Sequence, residues 1–335
     1  MKAKRPIILW LISGCVLIFI MVIIGGITRL TNSGLSMSTW QLIGGTIPPL
    51  NPEEWIAAFN VYQATPEGKM NSHYVLDDFK YIFFWEYLHR MMGRLLGLVF
   101  IIPFIYFLIK KKLNRKLIYQ SLILFSMGAM QAGIGWWMVK SGLVKNPDVS
   151  HFRLAIHLIT AFLTCAFTLW VALPLILPKK RSGNKKLLKL TSWLFVLVII
   201  QIIYGAFVAG LNAGRICNTW PKMEGEWIPG SIFSMNPFWQ NFIENHYTIQ
   251  FIHRTLAFII VFFVLYIWNE GGKIKINYLQ KKSFNILLSL VMFQIVIGIF
   301  TLILVVPISL ALIHQLVAFL LLMSIIFSMF TFSKS

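Results

Sequence analysis

The chain has 335 residues, of which 58% are hydrophobic and 12% charged, with a net charge of +19. A soluble domain carries about twice that charged fraction, so a soluble globular protein is excluded. The basic excess falls in short loops between apolar runs, where it reads as a topology and lipid-headgroup signal and not as a nucleic-acid surface.

In chain order, Lys2-Ala3-Lys4-Arg5 precedes an apolar run too long for a signal peptide and without a small-residue cleavage site, read as a retained first span. Eight spans are predicted, over 7–27, 83–109, 118–139, 154–177, 190–209, 248–268, 284–306 and 308–330, with Pro307 turning the chain between the last two. Of the 30 lysines and arginines, 18 fall on one side of this arrangement, at the N-terminus and around Lys110, Lys185 and Lys281. The positive-inside rule then puts both termini in the cytoplasm and turns the long loops 28–80 and 210–246 outward. Their Pro, Trp and Asn content suggests ordered caps.

The second half repeats the first. Gly25, Asn32, Gly34, Thr39, Trp40 and Pro49 recur as Gly205, Asn212, Gly214, Thr219, Trp220 and Pro229. His89-Arg90 recurs as His253-Arg254, Gln131 and Gly135 as Gln294 and Gly298, and His157 with Ala161-Phe162 as His314 with Ala318-Phe319. The expected fold is an all-α polytopic membrane protein of eight transmembrane helices in two four-helix bundles, residues 1–178 and 179–335, related by a pseudo-two-fold along the membrane normal.

Four of the seven histidines, His89, His157, His253 and His314, fall at similar depth in the second, fourth, sixth and eighth spans. Two facing imidazoles in each bundle suit axial ligation of a haem iron. Zinc would need a third nitrogen or sulfur ligand at suitable spacing, and neither half offers one. His73, His151 and His246 are read as solvated or interfacial. Arg90 and Arg254 point about 100° away from their histidine neighbours, towards a haem propionate or the headgroups. Glu86 shares a helical face with His89, and the equivalent residue in the second half is Gln250, which cannot titrate. A carboxylate there can move a proton or steady a developing cation, or simply pair with Arg90 one turn on. The asymmetry puts chemistry in the first half and a resident cofactor in the second. Cys15 and Cys165 are read as packing residues, Trp136-Trp137 as aromatic belt, and Gly128, Gly133 and Gly135 as points of close helix approach.

The run Gly25-Gly26-Ile27-Thr28-Arg29-Leu30-Thr31-Asn32-Ser33-Gly34-Leu35-Ser36-Met37 resembles the first outer-loop signature of the haem A synthase family. Ile47-Pro48-Pro49-Leu50, Phe84-Trp85-Glu86-Tyr87-Leu88-His89-Arg90, Arg153-Leu154-Ala155-Ile156-His157-Leu158 and Asn218-Thr219-Trp220-Pro221 extend the resemblance over nearly the whole chain, and the long first loop is similar to the alphaproteobacterial and mitochondrial branch. The resemblance implies an oxidoreductase that converts the ring D methyl of haem O, through an alcohol and a hydrated aldehyde, to the formyl group of haem A for cytochrome oxidase. It implies that His89 and His157 serve the substrate haem, that His253 and His314 hold a haem b, and that Glu86 is catalytic; the residue reading adds Arg90 and Arg254 beside the two haems. The implied setting is the bacterial inner membrane, with lipid, an unidentified electron acceptor, and haem O synthase or a second copy of the chain as partners. Some members carry a cysteine pair in the first outer loop; this chain has none there, and Cys217 stands alone opposite Met37 of the repeat. On histidines alone, a diheme electron-transfer subunit or a haem carrier remain competing readings.

Overall fold

The computed structural model describes residues 4–37, 45–143, 149–177 and 183–334. Thr39 and Trp40 of the repeat, and Lys2, Lys179, Lys180 and Arg181 of the basic loops, lie outside them. The described residues are helical apart from turns and a single bridge, Met223–Glu226. Eight helices are long and apolar enough to cross a membrane: α1 (Arg5–Leu30), α4 (Leu76–Ile109), α5 (Arg115–Gly142), α6 (His151–Ile176), α7 (Lys185–Gly210), α9 (His246–Gly272), α10 (Tyr278–Ile303) and α11 (Ile308–Phe332). The short α2 (Pro52–Gln63), α3 (Pro66–Met70) and α8 (Ala213–Ile216) lie in the two long loops.

Asparagine sets where many of these helices start. Asn51, Asn114, Asn184, Asn245 and Asn277 each accept a backbone N–H of the first turn of α2, α5, α7, α9 and α10, satisfying a donor the helix cannot. Asparagine also ends two of them: Asn32 and Asn212, equivalent in the repeat, take left-handed φ of 51° and 52° just after α1 and α7.

The helices outrun the apolar stretches. At about 1.5 Å per residue, α4's 34 residues span about 50 Å, against a hydrocarbon core of about 30 Å. Its first turns therefore belong to the face that carries the long loops. There Phe79, Ile82 and Phe83 are buried with Tyr62 of α2, and Trp55 stands edge-on to Phe83 at 5.1 Å. His151 and His246, expected outside the helices, are instead the first residues of α6 and α9, and His151 is buried.

The chain forms two compact units, residues 13–161 and residues 1–12 with 162–335. In the second, α7, α9, α10 and α11 pack as a bundle. The inner part of α6 lies along α11 there: Ala166, Leu173, Ile326 and Phe330 form a buried cluster, and Phe162 meets Phe319, its counterpart in the repeat, edge to face at 5.0 Å.

Candidate functional site: four histidines on four glycines

Each of the four span histidines lies against a glycine of the preceding membrane helix. A Cβ placed on Gly25, Gly135, Gly205 or Gly298 would stand 2.8–3.0 Å from Cε1 of His89, His157, His253 or His314 respectively. Only glycine leaves room for the ring at that distance. The other two glycines expected to bring helices together, Gly128 and Gly133, have nothing within 4 Å of that position, so the close approach in α5 is at Gly135 alone.

A glutamine one turn before three of those glycines holds the same histidine. The Gln131 amide donates to the His157 carbonyl at 2.8 Å and lies 3.1 Å from ring Nδ1, and Thr160 donates to its Oε1. Gln201 and Gln294 donate to the His253 and His314 carbonyls at 3.0 and 3.1 Å, with the amide nitrogen 3.5 and 3.3 Å from a ring nitrogen. The sequence carries the signal for these braces, Gln-x-x-x-Gly in the span before three of the four histidine spans. Two of the three glutamines stood out in the repeat, but none as a partner of histidine.

The rings of His253 and His314 are 6.4 Å apart, centre to centre, at 71° to one another. Two imidazoles bonded to one metal at about 2 Å have their ring centres about 6 Å apart, so the separation of this pair matches a shared iron. Both have a buried Nδ1 without a protein partner, as does His89.

Beside His89, Glu86 is buried and fully engaged with the first loop. Its Oε2 accepts Ser36 Oγ at 2.7 Å and the Met37 N–H at 2.8 Å, and its Oε1 is ion-paired with Arg90, which also donates to the Met37 carbonyl at 3.1 Å. In the second half the same geometry has opposite polarity. Gln250 donates to the carbonyls of Ala213 and Cys217 at 3.0 and 2.9 Å and accepts Arg254 at 2.8 Å, while Arg254 reaches the Thr219 carbonyl and stacks over Trp220. Both arginines thus clamp the start of a long loop to the helix below it. Cys217 is buried and free, its sulfur 3.9 Å from Arg254. At the same end of the first unit, Arg153 lies over the Trp137 ring at 4.4 Å and Lys140 over Trp136 at 5.1 Å.

A second acid lies under the first loop, unmarked by any sequence motif. Glu67 of α3 is 7% exposed and its Oε2 has no hydrogen-bond partner among the described residues. Burial, and then the charge of Glu86, push its carboxyl up from 4.5 to about 8.

Fold and site together define a multi-pass helical membrane protein built around half-buried imidazoles, each seated on a glycine of a neighbouring helix. The chain belongs to the cytochrome oxidase assembly protein family COX15-CtaA, which it matches over residues 8–326. It is 48% identical to the heme A synthase of Flavobacterium johnsoniae over 340 residues, 99% of each chain. It is 44% identical to that of Nitrosospira multiformis over 93% of this chain and 89% of the relative, and 43% identical to that of Wolbachia pipientis wMel over 96% and 91%.

Proposed function

We propose that the protein is a haem A synthase, an oxidoreductase that converts the ring D methyl of haem O to a formyl group and so supplies haem A for cytochrome oxidase. One observation carries the reading. In a chain nearly half identical along its length to a protein named heme A synthase, four glycine-seated histidines repeat, and only the first-half site adjoins a carboxylate.

The substrate haem binds between His89 and His157 in the half spanning residues 1–178. A haem b rests between His253 and His314 in the half spanning 179–335, where the ring separation supports it. When bound, that haem would supply one-electron redox chemistry. Glu86 takes protons as the methyl carbon is oxidised. Its three donors leave a lone pair of Oε1 for that purpose, and the Arg90 charge returns the carboxylate to its ionised form. Ser36 and Met37 fix the carboxylate, so none of its orientation is lost to solvent. Arg90 and Arg254 each hold the start of the long loop in their own half. The protein resides in the bacterial inner membrane with both termini in the cytoplasm and the long loops outside, and haem O synthase or a second copy is a candidate neighbour.

The test is pigment analysis of membranes from cells that make haem O and express this chain. Haem A is expected with the wild type; Glu86→Gln should leave haem O or its alcohol in place of most of the haem A. Undiminished haem A in that variant removes Glu86 from the chemistry, and no haem A from the wild type rejects the function.

A further inference from the structure

Three of the four histidines are held by a glutamine, and one is not. The repeat offset that maps Gly205 to Gly25 maps Gln201 to Met21. A thioether has no hydrogen to donate, so Met21 cannot hold the His89 carbonyl or the edge of its ring. Its methyl lies instead 3.8 Å from the Cβ position of Gly93, one turn beyond His89 on α4. Among the described residues the His89 ring makes no hydrogen bond, whereas the other three rings each have an amide nitrogen within 3.1–3.5 Å of a ring nitrogen. Glycine seats all four rings alike, so the seat does not distinguish them and the glutamine does.

We infer that Met21 makes His89 the ligand that yields when a haem enters or leaves the first-half site, while Gln131 keeps His157 in place. The inference rests on the assignment of substrate haem to His89 and His157. It fits the different demands on the two sites: a resident cofactor needs two fixed ligands, but a substrate that becomes product must be released every turnover. Partners of ligating histidines fix ring orientation and, when lost, cost about 10- to 100-fold in affinity. Met21, Gln131, Gln201 and Gln294 are positioning residues in this scheme and touch no reacting atom.

The test follows haem transfer from the purified full-length protein, as isolated, to apomyoglobin. The wild type should lose haem in a fast phase, abolished by His89→Ala, and a slow phase, abolished by His253→Ala. Met21→Gln should slow the fast phase about tenfold or more and leave the slow phase unchanged. Gln294→Met should hasten the slow phase by a similar factor, and Met21→Leu, which supplies no donor, should match the wild type. A fast phase unchanged in Met21→Gln, or slowed equally by Met21→Leu, overturns the inference. Phases insensitive to His89→Ala would instead reject the haem assignment beneath it. Spectra of Met21→Gln with a bound haem unaltered in ligation would show that the brace acts on exchange and not on folding.

Discussion

Glu86 and Gln250 occupy the same place in the repeat, each held by an arginine one turn on, yet one faces donors and the other faces carbonyls. Removing the arginine should therefore cost the two sites differently. Arg90→Ala strands a buried carboxylate and should destabilise the protein by about 3–5 kcal/mol. Arg254→Ala leaves a neutral amide with its two carbonyl partners and should cost about 1–2 kcal/mol. Thermal unfolding of the purified variants compares them directly. Glu67 makes a second residue-level prediction. It faces Glu86 on α4 and Tyr62 on α2, both of which interact with its charge. An acid whose folded pKa exceeds its unfolded value binds its proton more tightly when folded. Its contribution is full below pH 4.5 and is lost as the pH rises towards about 8. Glu67→Gln should abolish that decline, matching the wild type near pH 5 and exceeding it in melting temperature above pH 8. The histidines and Glu86 were legible in the chain because ionisable groups in apolar runs are conspicuous. Ser36 and Met37 were not, because they reach Glu86 from a loop some fifty residues of sequence away, and Glu67 was not, because no motif marks it.

Among the elements, the four histidine-bearing helices were foreseen closely in number and order. Their ends were misplaced: α4 and α6 begin 7 and 3 residues before the predicted spans, at Leu76 and His151. Hydropathy locates the hydrocarbon-facing part of a helix, whereas hydrogen bonding and cap packing locate its end, and the first turns of α4 gain their burial from α2. The turn between α10 and α11 was placed by its proline, but its conformation was not foreseen. Val305 and Val306 both have φ of 60°, a left-handed backbone that β-branched residues resist. Val305 is 54% exposed, so its side chain contributes little packing to offset that strain. Val305→Gly should accordingly raise stability by about 1 kcal/mol, seen as a higher melting temperature with the haem spectrum unchanged.

Across the whole molecule, the duplication visible in the sequence recurs in detail. Asn32 and Asn212 end equivalent helices in the same backbone conformation, four glycines seat four imidazoles, and two arginines tie down two loops. The duplication disclosed the exchange of Glu86 for Gln250 but not the inverted polarity of their surroundings, and it passed over Met21 in place of glutamine, because a mismatch in an alignment carries no information about what the side chain touches. The inverted polarity has a consequence for descent. Gln250→Glu would push a negative group against two oxygens, and Glu86→Gln would offer Arg90 and Met37 an amide able to satisfy only one of them. Neither half can be turned into the other by a single exchange, so the specialisation of the two sites is locked by the backbone around them, and any return to equivalence would have to pass through an ill-formed intermediate.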